Sequence, residues 1–250
     1  MAADTQATEA SSWEYSIKVK EIDKFSLMGC AGSAGYIEML ADEVREALIE
    51  PGSSDYKKVL ERAVLSFSRY VDKRIEEVGV GLPENDRKLC YPQAAFATHD
   101  RLSNPKRNRI FEIKTPHPPV EPDYQQRVII GSGSIPAVTL LKNLEFFMTK
   151  FALGWHLISA RFASQLCWLL MNRVEHVDPS TSGVLLYRID SSGWRQPTIY
   201  EVWGDEAADK PWSSILLETA FEEASMNEAS KEKLDAILKR INPFEAFKKS

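Results

Sequence analysis

The chain is expected to adopt an α+β fold in which antiparallel sheets carry pairs of helices. Three observations point there: short stretches that alternate apolar and polar residues, runs with apolar residues three and four apart, and the order in which these come. The order is strands, two helices, strands, two helices, strands, helix, in blocks and not in strict βα alternation.

Trp13 to Ile22 alternates crudely, with Trp13, Tyr15, Ile17 and Val19 on one side, as a strand with one wet face does. Phe25 to Cys30 reads as a second, shorter strand, ended by the small-residue run Gly29 to Gly35. Ile37, Leu40, Ala41, Val44, Ala47 and Leu48 then form one apolar stripe of a helix, which Pro51 and Gly52 close. A second helix is expected from about Asp55 to Glu77. There Val59, Ala63, Phe67, Tyr70 or Val71, and Ile75 keep the helical period, while Lys57, Glu61, Arg62 and Lys73 face away.

From Val78 to Gln126 the grammar changes, because 7 of the 13 prolines fall there. Only Gln93 to His99, Ile110 to Ile113 and, just beyond, Arg127 to Ile130 look like strands, joined by exposed, stiff loops. Helical period returns at Ala137 to Phe151 and at Ile158 to Val174. Gly183 to Ile189 and Thr198 to Trp203 read as a hairpin around Ser191, Ser192 and Gly193, and Lys231 to Ile241 as a final amphipathic helix. No internal repeat of fixed short period is visible.

Composition narrows the function. Apolar residues make up 44% of the 250, enough for one generous core or two small ones. Lysine and arginine number 31 against 36 acids, a net charge of -5, so there is no basic excess to answer a phosphate backbone and nucleic acid is not an expected partner. Cys30, Cys90 and Cys167 lie far apart with no C-x-x-C pair, and His99, His117, His156 and His176 have no metal-ligand spacing. Neither a disulfide scaffold, a metal nor another cofactor is expected. Apolar stretches are broken by charges before the roughly 20 residues of a membrane span, and the first ten residues hold acids where a leader would be basic. A soluble, cytoplasmic protein without a membrane partner is the expectation.

Two segments could carry chemistry by themselves. Gly131 to Ala137 fits a loose G-x-G-x-x-A dinucleotide fingerprint, but that needs a βαβ unit and an acid about 20 positions on, where Phe151 to Trp155 stands instead. The other reading is a tight turn in which glycine supplies positive φ and serine caps the helix. Asp178 to Gly183 is composed as an ordinary turn is.

Taken in order, these segments resemble one family, the proteasome-type N-terminal-nucleophile hydrolases. Met1 to Thr8 is similar to its A-A-D-x-x-x-T strand, and Lys18 to Asp23 to its K-I-x-x-I strand. Gly29 to Gly35 resembles the small-residue turn into its first helix. Ile130 to Gly133, followed by Ala137, is similar to the G-S-G…A opening of its third helix, and Asp178 with Ser182 and Gly183 to its D…S-G turn before the last hairpin.

The resemblance covers about residues 1–205, with a proline-rich insertion at about 79–126 and a C-terminal extension at 206–250 that carries the amphipathic helix. It implies a four-layer αββα sandwich of antiparallel sheets and amide hydrolysis by an N-terminal threonine. By motif, Asp4 would be the acid, Lys18 would tune the amine, and Ser132, Asp178 and Ser182 would orient it. The Gly32 backbone N–H would serve the oxyanion. Thr8 would pair with an extended peptide, and Cys30 and Ala34 would line the pocket for the residue before the cut. Partners implied are other copies or related subunits in a ring, a peptide or unfolded protein as substrate, and a regulatory ATPase. The simpler readings are a solvated strand residue for Lys18 and a frayed terminus for Asp4.

One departure matters. In the family the catalytic threonine begins a strand that pairs with the A-A-D strand, whereas Met1 stands inside that second strand, so the first strand is missing; Thr5 and Thr8 lie too late to replace the threonine. Met1 is therefore expected to be an internal methionine of a longer reading frame whose upstream part carries the threonine. Two other readings stay open: a noncatalytic structural subunit of such a ring, and a small-molecule amidase or nucleotide-binding enzyme using the Gly131 turn.

Overall fold

The computed structural model describes residues 1–3, 6–9, 12–15, 18–49, 55–78, 90–101, 106–122, 128–131, 134–150, 153, 158–178, 183–205 and 210–226. Its centre is a four-stranded antiparallel sheet in the order β4 (Val19–Asp23), β5 (Ser26–Ala31), β6 (Gln93–Asp100), β7 (Arg107–Lys114). The turn from β4 to β5 is closed by Asp23, whose carboxylate accepts from the Phe25 N–H at 2.7 Å. Both β6 and β7 fall inside the proline-rich stretch 79–126, and β6 lies between β5 and β7, so this part of the stretch belongs to the sheet.

The pleat gives the sheet two working faces. Met28 and Cys30 of β5, Ala94 and Phe96 of β6, and Phe111 and Ile113 of β7 pack against helices α1 (Ala34–Ile49) and α2 (Tyr56–Val78). From α1 come Ile37, Leu40, Ala41, Val44 and Ala47, and from α2 Val59, Leu60, Ala63, Val64, Phe67 and Val71. The α1 stripe is the expected one; in α2 the expected Val59, Ala63, Phe67 and Val71 are joined by Leu60 and Val64, while Tyr70 is exposed. Leu27 and Val19 face the other way, where Tyr187 is buried and Met1, Leu185, Ile189 and Trp194 gather around them.

That second face is covered by short strands. β1 (Ala2–Ala3) pairs antiparallel with β8 (Leu185–Leu186), and β9 (Arg188–Asp190) with β10 (Gly193–Arg195). Beyond them lies a second core of Met148, Leu153, Phe162, Leu166, Val202, Trp203, Ile215, Leu216, Ala220 and Ala224. It joins α3 (Ser134–Lys150), α4 (Ala160–Glu175), α5 (Ile199–Trp203) and α6 (Trp212–Met226). A further hairpin pairs β2 (Gln6–Glu9) with β3 (Ser12–Tyr15).

An α+β arrangement with antiparallel pairing is thus observed, and several expectations need correction. The strand expected over Trp13 to Ile22 is divided between β3 and β4, which belong to different sheets. Val128 to Ile130 form no strand. Thr198 to Trp203 is a helix preceded by its cap: the Thr198 hydroxyl accepts from the Glu201 N–H at 3.2 Å, and the Glu201 carboxylate accepts from the Thr198 N–H at 2.8 Å. The T-x-x-E spacing is a capping box, and it outweighs the β-branched content of the segment. The strand that completes the hairpin is β10, reached through Ser191 and Ser192. Helix α6 has no counterpart among the elements expected from the sequence. The amphipathic segment Lys231 to Ile241 lies outside the described residues.

Candidate active site

The candidate site is built around the end of β5. Lys18, half-buried, stands just before β4, and its carbonyl accepts from the Cys30 N–H at 2.8 Å, which fixes the Lys18 backbone opposite the last residues of β5. Gly32 follows with φ of +135°, and a Cβ there would lie 3.1 Å from the Cα of Pro92, so only glycine fits this turn without strain. The Ser33 carbonyl then accepts from the Ile37 N–H at 3.0 Å and α1 begins, with Ala34 exposed on its first turn.

A second motif meets this one in space. Gly131, with φ of +92°, is so close to β5 that a Cβ built on it would lie 3.5 Å from the Cβ of Ala31. Its carbonyl accepts from the Ser134 N–H at 3.1 Å, and this turn starts α3. About 100 residues of chain separate the two turns. No βαβ unit surrounds Gly131 among the described residues, where the strand pairings are antiparallel.

The remaining candidates fall as follows. Asp178 is half-buried just after α4, where its N–H donates to the Val174 carbonyl at 2.8 Å. Gly183 has φ of +70°, and its N–H donates to the Glu175 carboxylate at 3.3 Å. Thr8 lies in β2, opposite Trp13. Asp4, Ser132 and Ser182 lie outside the described residues. The structure therefore brings together Lys18, Cys30, Gly32, Ala34 and the Gly131 turn at one end of β5, and places Asp178 at the end of α4.

Electrostatics divide the two nearest cysteine and lysine neighbours. Burial pushes the Cys30 thiol up to about 12; Lys20 opposes this and Glu38 reinforces it. Cys30 is thus a neutral thiol at physiological pH and a poor nucleophile. Its side chain lies in the core between the sheet and α1, donating at 3.5 Å to the Met28 carbonyl. Lys20 is committed to Glu38 of α1 at 2.5 Å, and the hydrogen bond from Lys20 holds that carboxylate below its ordinary range.

A stronger charge cluster, which the sequence did not suggest, lies at the sheet edge formed by β7. Arg109 donates to Asp100 at 2.8 Å, Asp55 at 3.1 Å and both oxygens of Glu121, at 2.8 and 2.6 Å. It ties the start of α2, the end of β6 and the loop after β7 together, which is a structural task. No group of three or more His, Cys, Asp or Glu residues among the described residues is placed to hold a metal ion. No helix among them is long and apolar enough to cross a membrane.

No protein-family model matches the chain, and no curated protein matches it.

Proposed function

We propose that the chain is a proteasome-type N-terminal-nucleophile hydrolase subunit that works in proteolysis, with its elements stacked as helix pair, sheet, sheet and helix layer. The observation that carries this is the approach of Gly131 to Ala31, which puts the turn into α3 beside the turn into α1. These are two of the five ordered segments on which the resemblance rests, and Lys18 shares the same strand end through its bond to Cys30. The layering is supported by alternation in the short strands, where Leu185, Tyr187 and Ile189 face Leu27 while Leu186 joins the core around Phe162.

In this proposal an N-terminal threonine attacks the peptide carbonyl. Lys18, Asp4, Ser132, Asp178 and Ser182 hold and move the proton at the threonine amine, and the Gly32 N–H receives the developing oxyanion. The test is expression of the reading frame with its upstream codons and an assay on fluorogenic peptides. Turnover that disappears in Lys18→Ala is expected; a stop codon immediately upstream in frame, together with a monomeric, inactive product, would overturn it.

A second reading, a noncatalytic ring subunit, is favoured by α3, whose Ile135, Val138 and Phe146 are 80%, 42% and 65% exposed. Apolar residues so exposed on one helix suit burial against a neighbouring copy or related subunit. A large ring on size exclusion without turnover selects this reading.

A further inference from the structure

Leu186 and Arg188 stand two apart in one extended stretch and so share a side. Leu186 spends that side on the core around Phe162 and Leu166. Arg188 carries a charge toward the same helix: its Nε donates to the Ser164 hydroxyl at 3.2 Å and its Nη2 to the Ala160 carbonyl at 3.4 Å. Among the described residues, no carboxylate lies within ion-pair distance of Arg188 and no acceptor meets its Nη1.

Directly across the hairpin from Arg188 is Arg195. Like charges opposite each other on two strands repel, so this pair opposes the hairpin that holds it. Two acids nearby offset part of this repulsion, and each already has a partner. Glu201 is taken by Arg195 at 2.6 Å, and Asp190 accepts from the N–H and hydroxyl of Ser192 at 2.7 and 2.5 Å. A third guanidinium, Arg161 in the first turn of α4, donates to the Val202 carbonyl at 3.3 Å. Burial presses the Arg188 pKa down and the charge of Arg195 adds to that, against the pull of Glu201 and Asp190.

We propose that Arg188 and Arg195 form the cationic wall of a site for an oxyanion group, phosphate or carboxylate, between the β9–β10 hairpin and the first turns of α4. A guanidinium presents a planar fork of donors matched to such a group, and an anion between the two arginines relieves their repulsion. The site is independent of the proposed peptide hydrolysis, since neither arginine belongs to the end of β5.

Calorimetric titration of the chain with sodium phosphate and, separately, sodium acetate at fixed low ionic strength tests this. Saturable binding is expected in at least one arm, and the arm that responds identifies the group. Arg188→Gln and Arg195→Gln should each weaken binding roughly tenfold. Arg74→Gln, which changes an exposed α2 residue near Glu77, should leave it unchanged. Binding in neither arm, or equal binding by Arg188→Gln, overturns the proposal. Should the hairpin variants fail to fold, the wild-type melting midpoint decides: a rise with phosphate or acetate but not with sodium chloride of equal ionic strength supports the site, and an equal rise with chloride overturns it.

Discussion

Arg109 of β7 and Asp100 of β6 form an ion pair of 2.8 Å with side chains only 8% and 1% exposed, and Asp55 and Glu121 close around the same guanidinium. The Arg109 guanidinium also lies over Phe111, its carbon 4.7 Å from the ring centroid. Removing the cation takes the opposite charge away from the buried Asp100 carboxylate, which costs more than losing an exposed pair. Arg109→Met should lower stability by about 3–5 kcal/mol in urea denaturation. An unchanged midpoint would show that the cluster is solvated and weak.

The same cluster sets a pH dependence. The hydrogen bonds from Arg109 hold the Glu121 carboxyl below its ordinary 4.5. Burial works to raise Asp55, but the Lys57 N–H and Arg109 overcome it and bring the group below its ordinary 3.8. Both groups have folded values below their unfolded ones, so their contribution is complete above the unfolded values and is lost as pH falls through the folded ones. Urea midpoints measured from pH 7 down to pH 3 should fall in the acid range, and should fall less in Arg109→Met.

Gly193 opens β10 with φ of +124°, and a Cβ there would lie 2.7 Å from the backbone oxygen of Lys24. That oxygen already accepts from the Trp194 N–H at 3.0 Å, so moving it away disturbs this bond. Gly193→Ala should cost about 1–3 kcal/mol from strain and displacement together. A thermal midpoint equal to wild type would mean that the hairpin does not rest on the β4–β5 turn.

Cys30 should resist alkylation. With its thiol pushed up to about 12 and the residue 4% exposed, iodoacetamide at pH 8 should modify it only after denaturant is added. Cys167, half-buried on α4, should react first. Peptide mapping by mass spectrometry reads both, and rapid labelling of Cys30 in the native protein would contradict its place beneath α1.

The periodic pattern of the chain determined α1, α2, α3 and α4 to within a few residues, and the strand cores of β5, β6 and β7. Apolar spacing reports which side of a segment avoids water, and that is a local property. It did not report that Thr198 caps a helix instead of starting a strand, although the T-x-x-E signal was present. The period of α6 is present in the sequence at Leu216, Ala220 and Ala224, but two of these are small alanines and make the stripe faint.

The candidate site was legible as a set of small-residue turns, with Gly32 and Gly131 both marked by their neighbours in sequence. Only tertiary structure decided that Gly131 rests on Ala31, that Asp55, Asp100 and Glu121 surround Arg109, and that Arg195 opposes Arg188. These pairings depend on strand register and on closing long stretches of chain. A sequence read residue by residue carries the charges and the glycines; which of them meet is set by what packs on each face of the central sheet.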